Sequence, residues 1–397
     1  MPIQITIFNE NLFGVVLKQV LGIIGGGQLG MMLTEAAKKM PEHISEIIVL
    51  DPTENCSAAQ VGAKQIVADF KDEKAILELA SRVDILTYEI ESGNSDVLKI
   101  AESKTTINPS PETLRIIQDK FLQKSFLANN NIPVTDFVSV ESLEDLKQKI
   151  KKFGYPALLK ARKDAYDGRG NYVIKSENDL EKAYNHFPGK SLMLEKFVDF
   201  TMEVSVIAAR NTSGQIATYP VVENIHENNI LKMTIAPARV TDDIARLAEQ
   251  IAHETMRVLH GAGVFGIEMF VTSKNKILIN EIAPRVHNSG HHTLQSSHTS
   301  QFEQHLRAIL GLELGNTNLI HATIMYNILG PDNIHGKYKM SDIKSKNMYL
   351  KMYGKTESKP QRKLGHLNLV DMDDKLGVIG LLESLDSIKN QIKLSSA

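Results

Sequence analysis

The most informative stretch of the sequence is GVFGIEMFVTSKNKILINEIAPR, residues 263–285. Its pattern predicts two strands joined by a short polar turn. A tight turn centred between Lys274 and Asn275 would place Glu268 directly opposite Glu281, both on one face among apolar neighbours. Like charges opposite each other destabilise a sheet, and an unpaired buried charge is costly. The pair therefore predicts a cation between the carboxylates, and Mg²⁺ fits. Two glutamates on an exposed hairpin face would give the same pattern.

Upstream of the hairpin, residues 155–171 carry the groups expected of a phosphate site. Lys160 lies on the apolar stretch YPALLKA, where its ammonium must reach water, pair, or meet an anion. The loop RKDAYDGRGN, residues 162–171, follows it, and its two glycines let backbone amides approach phosphate oxygens. A charged β-turn without any ligand explains the same loop, which does not match the P-loop pattern.

Residues 191–210 carry features suited to an adenosine. SLMLEKFVDF is an apolar strand up to Glu195 that continues in extended form through Val198. Main-chain groups of such a linker can pair with an adenine edge, and its apolar side chains can enclose the ring. Glu203, on the next predicted strand, is suitably placed for a ribose hydroxyl. Each of these signals is weak by itself.

The N-terminal stretch LGIIGGGQLG, residues 21–30, matches G-x-G-x-x-G between a predicted strand and a predicted helix. Asp51 follows where a dinucleotide fold places its ribose-binding acid, so this region alone predicts an NAD-dependent oxidoreductase. The motif reports a turn and a helix N-terminus that favour an anion, without naming the anion. The NAD hypothesis leaves Glu268 and Glu281 unexplained. From residue 20 to about residue 108, strands alternate with helices, which predicts a parallel sheet.

Composition excludes several function classes. The 397 residues suffice for two or three domains, and a net charge of −2 gives no electrostatic footprint for nucleic acid or an acidic membrane. No apolar run approaches the roughly 18 residues that a membrane-spanning helix needs. The single cysteine, Cys56, excludes an internal disulfide and fits a reducing compartment, so we expect a cytoplasmic protein. Residues 1–19 lack the pattern of a signal peptide, and their role is left open.

The order of the motifs resembles the ATP-grasp superfamily, in which two α+β subdomains clamp ATP. Lys120 lies on a helix predicted for residues 112–129, and the remaining candidates follow it along the chain in the superfamily's order. Closer still, GGGQLG, YDGRG, EKFV, NEIAPRVHNSGHH, YGK and RKLGH together are similar to the 5-(carboxyamino)imidazole ribonucleotide synthetases. The resemblance runs from about residue 20 to the C-terminus.

The resemblance implies a mixed α/β and α+β architecture: a Rossmann-like domain, an ATP-grasp fold and a small β-rich C-terminal region. Together with the residue patterns, it divides the chain into an N-terminal extension (1–19), a Rossmann-like pre-ATP-grasp domain (20–115), a mobile ATP-grasp lid (116–200), a central ATP-grasp subdomain with the metal site (201–320), and a substrate-phosphate-binding region (321–397). The predicted tail contains only short strands.

The resemblance also implies roles for individual residues. It implies ATP contacts at Lys120, Lys160, Asp164, Gly168, Gly170, Glu195, Lys196, Phe197, Val198, Glu203, His226, Asn280 and Glu281. It implies Mg²⁺, as one or two ions with Mn²⁺ as a substitute, on Glu268 and Glu281. The ribonucleotide substrate would contact Gln28, Leu29, Glu89, Lys355 and Arg362. The reacting groups would meet Tyr166, Asp167, Arg169, Arg285, His287 and Asn288, with Asp167 as the base.

The implied activity is the carboxylation of the exocyclic amine of 5-aminoimidazole ribonucleotide, with ATP and bicarbonate, through carboxyphosphate. The family further implies a homodimer and a separate mutase that acts on the product, because no length is left here for a fused mutase domain. A formate-dependent glycinamide ribonucleotide ligase, an NAD enzyme and a non-catalytic ATP-binding relative are the alternatives. A zinc site on His287 and His291 is disfavoured because no H-E-x-x-H pattern surrounds them.

Overall fold

The computed structural model describes residues 17–164 and 170–397. Its N-terminal part is a five-stranded parallel sheet in the order β3-β2-β1-β4-β5, crossed by helices. The strands are β1 (Gln19–Ile24), β2 (Ile44–Leu50), β3 (Lys64–Ile66), β4 (Ile85–Tyr88) and β5 (Thr106–Ile107), and the helices are α1 (Gln28–Ala37), α2 (Ser57–Gln60), α3 (Glu73–Ala80) and α4 (Ser95–Ala101).

A four-stranded antiparallel sheet, in the order β6-β9-β7-β8, forms the second unit. Two helices, α5 and α6, lead into it, and two more cover it. The elements are α5 (Pro111–Ile117), α6 (Lys120–Asn129), β6 (Phe137–Val140), α7 (Leu143–Phe153), β7 (Ala157–Ala161), β8 (Asn171–Ile174), α8 (Leu180–Asn185) and β9 (Leu192–Lys196).

A large antiparallel sheet forms the rest of the framework. Its main path is β15-β14-β10-β12-β13-β16-β19-β18, β11 pairs with β10, and β17 pairs separately with β20. The elements are β10 (Phe200–Arg210), β11 (Ile216–Thr218), β12 (Val222–Glu227), β13 (Ile230–Ala236), α9 (Asp242–Val258), β14 (Gly263–Thr272), β15 (Ile277–Ala283), α10 (Thr293–Ser296), α11 (Gln301–Ile309), β16 (Thr323–Leu329), β17 (Tyr338–Met340), β18 (Met348–Met352), β19 (Lys363–Val370), α12 (Gly377–Lys389) and β20 (Leu394–Ser396). The predicted combination of α/β and α+β architecture is confirmed.

One apolar core joins the first unit to the large sheet. Ile23 and Leu29 of the N-terminal unit pack in the same cluster as Ile207, Phe302 and Tyr353, all nearly inaccessible to water. A contiguous core of this kind fixes neighbouring elements because protein interiors are close-packed. The carboxyl ends of the parallel strands are therefore held against the large sheet, and the candidate site lies at this junction.

The glycine turn between β1 and α1 requires two of its glycines. Gly25 has φ of +98°, a conformation that side chains with a Cβ rarely adopt. A Cβ on Gly30 would lie 2.5 Å from the carbonyl oxygen of Gly25. The motif is thus explained by the geometry of the turn alone.

The predicted single helix over residues 112–129 is wrong, because the chain breaks at Asp119. Asp119 accepts hydrogen bonds from the backbone N–H groups of Phe121 and Leu122, which makes it the N-cap of α6. Its carboxylate also binds the Arg162 guanidinium through two hydrogen bonds, of 2.9 and 2.7 Å. These contacts of Asp119 separate α5 from α6.

The prediction that the tail holds only short strands is also wrong, since α12 occupies residues 377–389. Leu381, Leu385 and Ile388 recur at helical spacing and are buried against the sheet. Within residues 17–164 and 170–397, no helix is long and apolar enough to cross a membrane.

Candidate active site

The two glutamates of the hairpin face each other across β14 and β15, as predicted. The assumed register near the turn was wrong, because Val271 pairs with Ile277 and the short loop centres on Lys274. A β-bulge between the pairs Met269–Ile279 and Glu268–Glu281 restores the opposition of the carboxylates. The extra residue of the bulge is Asn280. Asn280 and Glu281 are both half-buried while Ile279 and Ile282 are buried, so two oxygen-bearing side chains leave the apolar face together.

Each glutamate of the hairpin has its own basic partner in the chain. The Lys120 ammonium lies 2.6 Å from a carboxylate oxygen of Glu281, and His287 Nε2 lies 3.3 Å from Glu268. Burial raises the pKa of Glu268, but the hydrogen bond and charge of His287, with His226 and Lys363, outweigh it and lower the pKa to about 2. Burial lowers the pKa of Lys120, and Glu281 outweighs this effect, so the net shift is upward. A basic side chain therefore lies beside each of the two carboxylates.

The donor chemistry of the hairpin fits a hard divalent cation. Carboxylate and amide oxygens are the ligands that Mg²⁺ prefers, and it usually takes one or two carboxylates plus substrate phosphates. Glu268, Glu281 and Asn280 supply such oxygens side by side. Among the residues that the structure describes, no group of three or more His, Cys, Asp or Glu side chains could hold a metal alone. The residues thus fit a cation that is shared with a bound phosphate.

A buried triad of charged side chains lies between α6 and the four-stranded sheet. Glu195 on β9 is 2.6 Å from the Lys160 ammonium and 2.8 Å from the Lys124 ammonium. Burial raises the pKa of Glu195, but the two lysines outweigh it and lower the pKa. Burial and the nearby Lys160 lower the pKa of Lys124, although Glu195 opposes this shift. Lys124 was not among the predicted site residues, although it lies one turn after Lys120 on the same helix.

The remaining residues expected to contact ATP lie on neighbouring elements. Glu203 on β10 lies 3.2 Å from His226 Nδ1 on β12. Burial is the largest single influence on the pKa of His226 and lowers it, but the hydrogen bond and charge of Glu203, together with the charge of Glu268, outweigh burial, so the pKa is raised. In the linker after β9, Lys196 and Phe197 are exposed and Val198 is half-buried. The linker thus leaves part of its surface exposed.

The glycine-rich loop lies partly outside the described residues, which exclude Tyr166, Asp167, Gly168 and Arg169. At its start, Asp164 has φ of +52° and lies 3.7 Å from the Lys71 ammonium of the N-terminal unit. At its end, the Gly170 carbonyl accepts a hydrogen bond from the Ala161 N–H.

Arg285, His287 and Asn288 follow the hairpin, and each is held by a partner. Arg285 lies 2.7 Å from Glu91, which follows β4 in the N-terminal unit. Asn288 and Asn327 exchange two amide hydrogen bonds, of 3.1 and 2.7 Å.

The second ring nitrogen of His287, Nδ1, also has a hydrogen-bond partner. This nitrogen lies 2.8 Å from the Ser289 hydroxyl, which in turn accepts from the Ser205 hydroxyl. Glu91, Asn327, Ser205 and Ser289 were not predicted, because nothing in the sequence signals contacts between such distant or weakly distinctive residues.

At the glycine turn, Glu89 binds the backbone. It accepts hydrogen bonds from the N–H groups of Gly27, at 2.5 Å, and Leu29, at 3.1 Å, while Asp51 accepts from the Gly26 N–H. Burial raises the pKa of Glu89 to about 7, although the backbone hydrogen bonds and Arg285 oppose the shift. The anion at this helix N-terminus is therefore a side chain of the protein, and Gln28 lies beside it in the first turn of α1.

The two basic residues predicted for a substrate phosphate lie in the C-terminal region, and Lys355 is close enough to Glu89 of this turn for their charges to interact. The Lys355 ammonium donates to the carbonyl of Lys363, and Arg362 donates to the carbonyl of Glu357. Burial lowers the pKa of Lys355 to about 8, and the positive charges of Arg362 and Lys363 add to this effect. A cluster of this kind would gain stability from a nearby anion.

His291, the second residue of the disfavoured zinc hypothesis, is buried against His366 and Phe302. Burial and the positive charges of neighbouring histidines lower its pKa well below the usual value. His291 is therefore a neutral ring packed in the core, and it takes no part in the contact between His287 and Glu268.

Comparison with known proteins agrees with this geometry. Three family models match: the ribonucleotide synthetase preATP-grasp domain over residues 18–118, the ATP-grasp domain over residues 125–302, and the phosphoribosylaminoimidazole carboxylase C-terminal domain over residues 323–376.

Similar proteins cover nearly the whole chain. A phosphoribosylaminoimidazole carboxylase of Ogataea methanolica is 42% identical over 89% of this chain and 66% of its own length. This chain thus spans about two thirds of that relative. An N5-carboxyaminoimidazole ribonucleotide synthase of Bacillus subtilis is 39% identical over 88% of this chain and 91% of its own length.

A solved structure gives the same result. The N5-carboxyaminoimidazole synthase of Aspergillus clavatus, in complex with ADP and 5-aminoimidazole ribonucleotide, superimposes with a TM-score of 0.82 at 33% identity, over 94% of this chain and 99% of that one. This chain belongs to the N5-carboxyaminoimidazole ribonucleotide synthase family of ATP-grasp ligases.

Proposed function

We propose that this protein carboxylates the exocyclic amine of 5-aminoimidazole ribonucleotide at the expense of ATP and bicarbonate, as a step of de novo purine biosynthesis. The products are 5-(carboxyamino)imidazole ribonucleotide, ADP and phosphate. The observation that carries the proposal is the pairing of Glu268 with Glu281 next to Lys120 and opposite the buried Lys160–Glu195 pair. The names of the similar proteins support the choice of substrate.

In this proposal, the nucleotide lies between the four-stranded sheet and the hairpin. Lys120 and Lys160 bind its phosphates, residues 164–170 cover them, and residues 195–198 with Glu203 and His226 hold the adenosine. Glu268 and Glu281, beside Asn280, hold Mg²⁺. The metal, when bound, would stabilise negative charge on the phosphoryl oxygens. Lys120 must then exchange part of its contact with Glu281 for a phosphate oxygen.

The ribonucleotide lies against the glycine turn in this proposal. Its phosphate binds Lys355 and Arg362, whose positive charges act on each other. Glu89 receives the ribose hydroxyls, and Gln28 and the backbone at Leu29 lie beside it at the start of α1. The amine then points toward Arg285, His287 and Asn288.

The chemistry is a phosphoryl transfer followed by a carboxyl transfer. Bicarbonate attacks the γ-phosphorus of ATP and gives carboxyphosphate and ADP. Carboxyphosphate, or CO₂ released from it, then carboxylates the amine, and Asp167 accepts the amine proton, with Tyr166 and Arg169 beside it. Arg285 and His287 stabilise developing charge, so catalysis rests mainly on positioning and electrostatics. Closure of the loop over the site protects the intermediate from water.

Several further features belong to the same proposal. The protein acts as a homodimer in the cytoplasm, and a separate mutase consumes its product. The functional units divide near residues 115, 200 and 320.

The test is ADP release from Mg·ATP with 5-aminoimidazole ribonucleotide, with and without bicarbonate. A parallel reaction uses glycinamide ribonucleotide and formate. ADP formation that requires both the imidazole ribonucleotide and bicarbonate is the expected result. Turnover only with formate would keep the fold and overturn the substrate. Absence of turnover in both reactions, with ATP still bound, would overturn the catalytic proposal.

A further inference from the structure

The Lys124–Glu195–Lys160 triad has more positive than negative charge. All three side chains are at least nine-tenths buried, with exposed fractions of 3%, 2% and 9%. Each lysine contacts a different oxygen of the one carboxylate, Oε1 for Lys124 and Oε2 for Lys160. Within residues 17–164 and 170–397, Glu195 is the one carboxylate within ion-pair distance of either lysine. With both lysines protonated, one unit of positive charge remains on this buried cluster.

An excess buried charge is unfavourable unless a ligand compensates it. Transfer of an unpaired ion out of water is costly, and breaking a buried pair costs several kcal/mol. Methionine or leucine at position 124 would leave a matched Lys160–Glu195 pair in an apolar setting, which is often equally stable or more stable. The stability of the unliganded protein therefore does not explain why position 124 is a lysine.

The helix that carries Lys124 joins both walls of the cleft. Lys120, one turn earlier on α6, contacts Glu281 of the hairpin, while Lys124 contacts Glu195 of the four-stranded sheet. Two ammonium groups on one face of a helix thus engage a carboxylate from each side of the proposed nucleotide site. Lys124 is deeper than Lys120 and is too enclosed to be the main contact of a ligand.

We propose that Lys124 is a positioning residue of the nucleotide site: it holds one oxygen of Glu195, so this carboxylate only half-neutralises Lys160, whose charge stays available to the nucleotide phosphates. The inference rests on the proposed function, in which the phosphates bind near Lys160. The inference depends on the net charge of the triad. The triad carries +1 with Lys124, and without Lys124 it becomes a closed, neutral ion pair.

The variant Lys124→Met tests this inference by titration with Mg·ATP, Mg·ADP and adenosine, followed by calorimetry. We expect the affinity for Mg·ATP to fall about tenfold, which corresponds to about 1.4 kcal/mol. The loss should be smaller for Mg·ADP and absent for adenosine, because the lost interaction scales with phosphate charge. An equal loss for all three ligands would show that Lys124 only packs α6 against β9, and would overturn the proposal.

Two further variants complete the experiment. Lys124→Met with Glu195→Gln restores the net charge of +1, so the ratio of Mg·ATP affinity to adenosine affinity should return to within about threefold of the wild-type ratio. The use of a ratio cancels any direct contact of Glu195 with adenine. Lys147→Met removes the same charge from an exposed pair on α7 and should change none of the three affinities.

The outcomes separate this inference from the proposed function. A wild-type protein that binds no adenine nucleotide would overturn both. Wild-type binding of Mg·ATP with unchanged binding in Lys124→Met would overturn only the role of Lys124. Should Lys124→Met fail to fold, the double variant decides alone, and a ratio that stays tenfold or more below wild type contradicts the inference.

Discussion

Glu89 and Glu268 are both largely withdrawn from water, yet their pKa values shift in opposite directions. At the glycine turn, Glu89 is held by backbone N–H groups, and burial dominates, so the pKa rises to about 7. At the hairpin, burial acts in the same direction on Glu268, but His287, His226 and Lys363 outweigh it and lower the pKa to about 2. Backbone dipoles satisfy hydrogen bonds without adding a full charge, whereas neighbouring cations stabilise the ionised form.

The difference suits the roles proposed for the two regions. A carboxylate that stays ionised at every physiological pH can hold a divalent cation. A carboxyl group that titrates near neutrality is better suited to hydroxyl groups, since it can donate as well as accept. Substitutions in both regions test this contrast, and the largest effect is expected at Glu281.

Glu281→Gln should have the largest effect, because it removes charge from the hairpin while keeping its shape. Loss of one metal-binding carboxylate should lower the rate of ADP release about a thousandfold, comparable to the loss of a major electrostatic stabiliser. Steady-state ADP release with saturating substrates measures this. Glu254→Gln, an exposed glutamate on α9, is the matched control. Retention of more than a tenth of the wild-type rate would argue against a metal role for Glu281.

Glu89→Gln should change the pH dependence of stability. The folded pKa of Glu89 is about 7 against an ordinary value of 4.5, so the folded state binds more protons than the unfolded state between these values. The stabilising contribution is therefore complete below about pH 4.5 and is lost as the pH rises toward 7. Across this interval the wild type should lose about 3 kcal/mol relative to Glu89→Gln.

Urea unfolding of both proteins at pH 5 and pH 8 measures this effect. Glu78→Gln, an exposed position on α3, is the control and should follow the wild type at both pH values. Parallel curves for the wild type and Glu89→Gln would mean that Glu89 is ionised throughout. Glu268 has the opposite sign, since its lowered pKa stabilises the folded state above about pH 4.5 and less as the pH falls toward 2.

Lys355→Met should weaken binding of the ribonucleotide and leave nucleotide binding intact. We expect the KM for 5-aminoimidazole ribonucleotide to rise about tenfold, the typical effect of one lost charge-assisted contact. In the wild type, the same KM should rise above about pH 8, as Lys355 loses its proton. Lys346→Met, at an exposed pair, serves as the control. A KM that is insensitive to the substitution would remove Lys355 from the substrate site.

Ser289→Ala should have the smallest effect in this series. It removes the hydroxyl that holds His287 Nδ1, while the contact between His287 and Glu268 stays available. One neutral hydrogen bond is worth about 0.5–1.5 kcal/mol, so we expect turnover to fall about threefold. Ser384→Ala on α12 removes a comparable hydroxyl far along the chain and should leave turnover unchanged. A loss of a hundredfold would instead assign Ser289 a direct role in the chemistry.

Much of the fold could be predicted from local patterns. The alternation of strands and helices before residue 108 and the hairpin at residues 263–285 both depend on nearest neighbours along the chain, and the structure confirms them. The two failures have different causes. The break at Asp119 depends on Arg162, which is brought there by β7. For α12, the helical spacing of Leu381, Leu385 and Ile388 was present in the sequence and was overlooked.

The type and order of the chemical groups along the chain were enough to predict the family, the opposed glutamates and the glycine turn. The partners that share the charges of these groups became known only from the packing of the elements. The bulge at Asn280, the contact of Lys124 with Glu195 and the capture of Glu89 by the glycine turn all join residues from different elements. The physical reason is that strand and helix periodicity is a local property, whereas burial and ion pairing depend on which elements pack against each other.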